Sequence, residues 1–192
     1  MIRLFVAVEI EDLEAWRRII EFRDAVTSCS IDGGIKPVEG ENIHITLRFI
    51  GEVPESYLTR IVECLRVVEN FKKFHISIHG VGAFPSTARP RVLWVGVKDG
   101  AEVLKAIRNS FEGCIKTISK EDHGEFVPHI TVARIKGRFR QDCLATYLKK
   151  YEFTDFGVSS VTQVKLKRSQ LTPKGPIYTD VAVFRLRNNG RA

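Results

Sequence analysis

A four-residue pattern occurs twice in the chain, and this repeat constrains the fold more than any other feature. Residues 44–47 read His-Ile-Thr-Leu, and residues 129–132, at an offset of 85, read His-Ile-Thr-Val. Similarity at a fixed offset indicates a repeated structural unit. We therefore expect residues 1–192 to form one domain with two similar lobes that face each other, so that both patterns line one cleft.

Hydrophobic periodicity predicts a mixture of strands and helices. The predicted strands cover 4–10, 43–50, 74–84, 91–98, 127–135, 158–170 and 177–187. The predicted helices cover 11–28, a segment that runs from Pro54 to Val68, 101–118 and 142–150. Several strands follow one another with no helix between them, which favours an α+β fold with mainly antiparallel sheets and outer helices.

The two patterns place a histidine and a threonine on the same face of a strand. His44 and Thr46 share a face, as do His129 and Thr131, because side chains two residues apart point the same way. The Cα atoms of each pair lie about 6.6 Å apart along the strand. An imidazole there can exchange a proton with a bridging phosphate oxygen while the hydroxyl donates to a non-bridging one. Two ordinary histidine–threonine pairs on solvent faces are the alternative.

Five motifs with this pattern at their centre occur in order along the chain. They are His-Ile-Thr-Leu-Arg-Phe-Ile-Gly at 44–51, Gly-Ala-Phe-Pro at 82–85, Pro-Arg-Val-Leu-Trp-Val-Gly at 90–96, Phe-Val-Pro-His-Ile-Thr-Val-Ala-Arg at 126–134 and Ser-Gln-Leu-Thr-Pro-Lys-Gly-Pro-Ile-Tyr at 169–178. On these motifs the chain resembles the two-histidine (HxTx) phosphoesterase superfamily. Within it, the chain is similar to the bacterial and archaeal RNA 2',3'-cyclic phosphodiesterases, first named 2'-5' RNA ligases. The resemblance runs from residue 2 to about residue 187.

The resemblance implies a bilobed fold and hydrolysis of a terminal 2',3'-cyclic phosphate on RNA to a 2'-phosphate. Some relatives also join RNA ends through a 2'-5' bond without ATP. By family usage His44 is the proton donor to the leaving 3'-oxygen, and His129 is the proton acceptor that activates water. Thr46 and Thr131 hold the phosphate oxygens. The near symmetry of the two motifs leaves the order of acid and base open on physical grounds.

Four further side chains are candidates for substrate binding. Arg48 continues the face of His44 and Thr46 and is expected to meet phosphate, unless it is a solvated surface arginine. Arg134 matches a position that the family uses near substrate, but strict alternation turns it away from the histidine, so a strand bulge would be needed. Phe84 is a candidate for stacking on the terminal base, and Tyr178 for reaching the cleft, with core packing as the alternative for both.

The charge of the chain is unevenly distributed. Residues 1–96 hold 12 Lys and Arg against 13 Asp and Glu, whereas residues 97–192 hold 18 against 10. A one-sided basic surface suits a polyanion, so the expected partner is RNA with a 2',3'-cyclic phosphate end, tRNA fragments among the candidates. The basic residues Arg134, Lys136, Arg138 and Arg140 leave the second motif directly and are expected to follow the RNA backbone. Solubility is the alternative reason for this charge.

The four cysteines show no metal-binding spacing. We expect them to be unpaired core residues in a reducing cytosol, with disulfides in a heat-adapted organism as the alternative. No apolar run approaches the roughly 18 residues of a membrane span, and acidic residues come too early for a signal peptide. The expected protein is therefore a cytoplasmic monomer.

No cofactor or metal is expected. The chain has no Gly-rich nucleotide-binding loop, and His75 and His79 would lie about 13 Å apart on a strand, too far to share an ion. Trp94 is expected in the core and His123 in a surface loop. Rival functions are a phosphodiesterase acting on a small cyclic nucleotide or a 2'-5' oligonucleotide, and a module that binds RNA ends without turnover.

Overall fold

The computed structural model describes residues 1–120 and 124–190, which form nine strands and four α-helices. The strands are β1 (Ile2–Glu9), β2 (Ile35–Pro37), β3 (His44–Val53), β4 (Phe74–Pro85), β5 (Pro90–Val97), β6 (His129–Ile135), β7 (Asp155–Val161), β8 (Gln163–Thr172) and β9 (Gly175–Arg185). The helices are α1 (Leu13–Thr27), α2 (Leu58–Leu65), α3 (Ala101–Ile115) and α4 (Gln141–Tyr151), and 3₁₀ turns cover Gly40–Asn42, Glu55–Tyr57 and Arg66–Asn70.

The strands named above pair antiparallel throughout and follow the order β7-β4-β5-β6-β3-β1-β8-β9, with β2 also paired to β6. The sheet has two halves of four strands, β6-β5-β4-β7 and β3-β1-β8-β9. The halves meet at a single pair of residues, Ile45 and Ile130. The predicted α+β class with two lobes and mainly antiparallel pairing is confirmed.

The helices cover one face of this sheet and build the core there. Helix α1 begins after Asp12, whose carboxylate accepts a hydrogen bond from the amide of Ala15 at 2.8 Å. Helix α1 follows β1 but packs against β6 and β7 of the other half, and α3 follows β5 but packs against β3. Alternate strand residues such as Val6, Ile45 and Ile130 are fully buried under these helices. The opposite face carries the polar and aromatic residues described below.

Both central strands contain a bulge at the same place in the repeat. On β3, Thr46 and Arg48 pair with consecutive residues of β1, so Leu47 is the extra residue. On β6, Thr131 and Ala133 pair with consecutive residues of β5, so Val132 is the extra residue, 85 positions after Leu47. A bulge shifts the alternation of side chains by one position, so every residue beyond it changes face.

The four cysteines form two disulfides, so the expectation of unpaired cysteines is wrong. Cys29 bonds Cys143 and joins the end of α1 to α4, while Cys64 bonds Cys114 and joins α2 to α3. Cys29 and Cys114 are 85 residues apart, like the two histidine motifs. Each lobe therefore has one covalent link across its helix layer.

Two predicted elements differ from the structure. The strand expected at 158–170 is two strands that part at Thr162, whose amide and hydroxyl both donate to the carboxylate of Glu11. Strand β7 pairs with β4 in one half of the sheet, and β8 pairs with β1 in the other half. This change of partner strand does not interrupt the alternation of apolar residues, so the sequence pattern predicts one continuous strand. The predicted helix from residue 54 is divided into two 3₁₀ turns around α2.

None of the described helices has both the length and the apolar character required to cross a lipid bilayer.

Candidate active site

The two histidine motifs meet on the open face of the sheet. Because β3 and β6 are antiparallel through Ile45 and Ile130, His44 lies beside Thr131 and Thr46 lies beside His129. The two isoleucines point into the core, so the four polar side chains point to the other face. An approximate two-fold axis thus passes between the isoleucines, with a histidine and a threonine on each side of it.

Each imidazole is held by a main-chain carbonyl. His44 Nδ1 donates to the carbonyl of Asn42 at 2.6 Å, and His129 Nδ1 donates to the carbonyl of Val127 at 2.6 Å. Because a carbonyl only accepts, the proton of each neutral ring is on Nδ1, and Nε2 is the basic atom. His44 Nε2 lies 2.8 Å from the hydroxyl oxygen of Thr46, which donates to it.

Both histidines are partly buried in the free protein. Burial lowers the pKa of His44 to about 4, although the hydrogen bond to Asn42 acts in the opposite direction. Burial also lowers the pKa of His129, and the positive charge of Arg134 adds to the effect. Both rings are therefore neutral at neutral pH, and each accepts a proton readily only when a negative charge is placed beside it.

Aromatic rings enclose His44. The ring centroid of Phe5 lies 5.2 Å away, and Tyr178 makes an edge-on contact at 5.6 Å. Tyr178 also packs on Phe5 at 4.8 Å, and Phe5 packs on Phe49 at 6.3 Å. The sequence-based candidate Tyr178 thus lies against the first histidine.

Two aromatic residues flank His129. Phe84 contacts the imidazole edge-on at 4.9 Å, and Trp94 lies 6.5 Å away and packs on Phe84 at 5.3 Å. The expectation that Trp94 belongs to the core is wrong, because its strand neighbours Leu93 and Val95 occupy the core face. The indole lies over Gly82, where a Cβ would come within 2.3 Å of the ring.

Arg48 lies outside the site, contrary to expectation. The bulge at Leu47 turns it to the core face, where only 4% of it is exposed. Its Nε donates to both carboxylate oxygens of Glu112 at 2.9 and 3.1 Å, and Nη2 donates to the carbonyl of Ser119. Phe49 takes the position on the open face that strict alternation assigns to Arg48.

Arg134 faces the site because the bulge required for that orientation is present. The extra residue, Val132, returns Arg134 to the face of His129, where its guanidinium is exposed. Lys36 of β2 is paired with Arg134 and is also exposed. The sequence did not point to Lys36 or Phe49 as residues of this face. For Phe49, the one available signal was that it precedes Arg134 by 85 residues, the offset of the repeat.

Four charged residues form a closed network beside His44. Lys165 and Lys167 on β8 each bind both Glu9 and Asp180, with N–O distances of 2.6 to 3.0 Å. Burial acts to raise the pKa of Glu9, but the hydrogen bonds from the two lysines prevail and hold it below its ordinary value. The carboxylate of Glu9 therefore stays ionised, and the four ion pairs tie β1, β8 and β9 together.

Two of the basic residues that follow the second motif bond to other groups of the protein. Arg138 pairs with Asp32 at 2.7 Å, and Arg140 donates to the carbonyl of Ser28 at 2.6 Å. His123 falls outside the described residues. Within residues 1–120 and 124–190, no three His, Cys, Asp or Glu side chains are close enough to hold a metal ion.

Comparison with known proteins gives consistent matches. Residues 10–94 match a family model described as LigT like Phosphoesterase. An RNA 2',3'-cyclic phosphodiesterase of Archaeoglobus fulgidus is 42% identical over 95% of this chain and 99% of the relative. A protein of the same name from Methanothermobacter thermautotrophicus is 39% identical over 96% of this chain and 99% of the relative. A crystal structure from Thermus thermophilus gives a TM-score of 0.81 at 28% identity, covering 98% of this chain and 100% of that one. Apo E. coli LigT shares the fold, with a TM-score of 0.73 at 22% identity over 96% of this chain and 97% of that one.

Proposed function

Because the chain belongs to the LigT-like phosphoesterase family, we propose that it hydrolyses the 2',3'-cyclic phosphate at the end of an RNA strand to a 2'-phosphate. The relatives at 39 to 42% identity are named for this reaction. The observation that carries the proposal is the interleaving of two histidine–threonine pairs around Ile45 and Ile130. Two imidazoles and two hydroxyls then surround one phosphate.

In the proposed reaction, a water oxygen attacks phosphorus and the bond from phosphorus to the 3'-oxygen breaks. His129 Nε2 accepts the proton of the attacking water, and His44 Nε2 donates a proton to the 3'-oxygen. The products are a 2'-phosphate and a 3'-hydroxyl. Both Nδ1 atoms are occupied by carbonyls, so the Nε2 atoms are the ones available for proton transfer.

The environment of His44 supports its role as the donor. A ring whose pKa is lowered to about 4 by burial is, once protonated, a stronger acid than an ordinary imidazolium. An anionic phosphate beside it stabilises the imidazolium, so we propose that His44 acquires its proton as substrate binds. In the free protein the hydroxyl of Thr46 donates to Nε2 of the neutral ring. Once the ring is protonated, that hydroxyl can donate to a phosphate oxygen instead, and Nε2 is free to donate to the 3'-oxygen.

The other residues on this face have proposed roles in binding. Thr46 and Thr131 donate to non-bridging oxygens, and Arg134 neutralises their charge. Burial raises the pKa of Tyr178, so its phenol stays protonated and orients His44 by contact. Phe84, with Trp94 beside it, offers a surface for the terminal base.

We further propose that the protein acts as a cytoplasmic monomer on RNA ends such as those of tRNA fragments, without a metal or cofactor. The same proton transfers, with an RNA 5'-hydroxyl in place of the attacking water, would break the bond from phosphorus to the 3'-oxygen and join two ends through a 2'-5' bond without ATP. Two disulfides fit a cytoplasmic protein of a heat-adapted organism, where such bonds persist.

The test is turnover of an RNA oligomer that ends in a 2',3'-cyclic phosphate, followed by phosphorus NMR of the product. A 2'-phosphate is the expected product, with a 2',3'-cyclic mononucleotide turned over more slowly. Faster turnover of the mononucleotide would favour a small cyclic nucleotide as substrate. Binding of the oligomer without any turnover would show a module that only binds RNA ends.

A further inference from the structure

A row of side chains crosses the second half of the sheet on the open face. Phe84 on β4 pairs with Val92 on β5, Val92 pairs with Arg134 on β6, and Arg134 pairs with Lys36 on β2. Directly paired residues point to the same face, and adjacent strands are about 4.8 Å apart. The row therefore has an aromatic ring at one end and two adjacent cations at the other.

Neither cation is neutralised within the part of the chain that the structure describes. The side chains of Lys36 and Arg134 make no ion pair or hydrogen bond with the described residues. Lys165, Lys167 and Arg138, by contrast, all bind carboxylates. Two exposed positive charges at paired positions of adjacent strands repel each other, and a bound anion would relieve this repulsion.

The strand that carries Lys36 is firmly held. The amide of Ile35 donates to the hydroxyl of Ser30 at 2.9 Å, and the carbonyl of Gly34 accepts from the amide of Lys136 at 2.7 Å. Gly34 contacts the backbone of Arg138 so closely that a Cβ would lie 1.9 Å from its carbonyl oxygen. Position 36 is therefore fixed relative to β6, and its exposed side chain places Nζ close to Gly33.

We propose that Lys36, next to Arg134 at the cyclic phosphate, binds the phosphodiester on the 5' side of the terminal nucleotide, which makes an oligonucleotide the preferred substrate. This inference rests on the proposed function. With the cyclic phosphate at the histidines and the terminal base against Phe84, the next backbone phosphate lies one nucleotide away. The Lys36 end of the row supplies positive charge for it, whereas Arg138 and Arg140 already have partners in the protein.

The test compares kcat/KM for three substrates that share a terminal 2',3'-cyclic phosphate. They are a mononucleotide, a dinucleotide with a normal phosphodiester, and the same dinucleotide with an uncharged methylphosphonate linkage. Lys36→Ala should lower kcat/KM roughly three- to tenfold for the charged dinucleotide and leave the other two unchanged. Lys36→Arg should retain wild-type values, and the exposed Lys149→Ala serves as the matched control.

Salt dependence gives a second readout. Loss of one phosphate contact to a single strand should reduce the slope of log kcat/KM against log salt by about 0.7 for the charged dinucleotide. An equal effect of Lys36→Ala on all three substrates, or no effect on any, would overturn this inference while leaving the proposed function intact. Failure of the wild-type protein to hydrolyse any of the three would instead overturn the proposed function.

Discussion

Phe49 and Arg134 occupy equivalent positions in the two halves of the sheet, 85 residues apart, and both reach the open face through a bulge. Each lies two residues beyond the extra residue of its strand, Leu47 or Val132. The repeated backbone therefore places an aromatic ring on one side of the site and a cation on the other. A nearly symmetric scaffold thus acquires the polarity that an asymmetric substrate requires.

The two histidines should act as one catalytic unit. His44→Ala and His129→Ala are each expected to lower kcat roughly 10²- to 10⁴-fold. The double variant should lose little more, since members of one catalytic unit are not additive. His75→Ala, an exposed histidine on β4, is the control and should keep full activity. Near-normal turnover by either single variant would contradict the assignment.

The pH dependence should reflect two histidines with lowered pKa values. The plot of kcat/KM against pH should be bell-shaped, because one histidine must be neutral and the other protonated. A lowered pKa keeps each ring neutral down to a lower pH, so both the rising and the falling limb of this curve move to lower pH. We expect the maximum below the reference pKa of about 6.5, because burial lowers the pKa of His44 to about 4 and also lowers that of His129. Initial rates measured from acid to mildly alkaline pH, with and without EDTA, test this. A maximum above the reference pKa, or loss of activity in EDTA that a divalent ion restores, is the contrary result.

Arg48 and Arg134 should respond differently to substitution. Arg48→Met leaves the carboxylate of Glu112 buried with only Arg108, at 3.8 Å, as an ionic partner among the described residues, and should cost about 3–5 kcal/mol of unfolding free energy. Arg134→Met leaves no buried charge without a partner, so the free energy of unfolding should change by less than about 0.5 kcal/mol.

Urea unfolding and kcat/KM measured on both variants separate the two roles. Arg134→Met should lower kcat/KM at least about tenfold, and the pair Arg48→Met with Glu112→Leu should recover most of the lost stability. Unchanged stability of Arg48→Met would refute the structural role given to this ion pair.

Each disulfide should add about 2–4 kcal/mol to stability, because it closes a loop of 114 or 50 residues and restricts the unfolded chain. Cys29→Ser and Cys64→Ser should each lower Tm, and the double variant should lower it further. Both disulfides lie in the helix layers, so kcat at moderate temperature should not change. Thermal melts with and without dithiothreitol check this, and an unchanged Tm on full reduction would show that the cysteines are not paired in solution.

The sequence by itself determined the repeat, the α+β class and the two histidine–threonine pairs. These depend on local patterns, since a period of two assigns His44 and Thr46 to one face of a strand whatever the partner strand is. The antiparallel halves could also be expected, because the strands at 74–84 and 91–98 follow each other without a helix.

Only the tertiary structure decided which residues share a face beyond a bulge. Strict alternation would place Arg48 on the open face and Arg134 on the core face, and the structure shows the reverse. The cause is the extra residue in each strand, Leu47 or Val132, which can be recognised only from the pairing with the neighbouring strand. Trp94 sits in an apolar strand and faces the site because Gly82 on the adjacent strand leaves space for its ring. The pairing of Cys29 with Cys143 likewise depends on α1 crossing to the other lobe. Contacts between segments far apart in the chain determine these features, so the local pattern of apolar residues does not predict them.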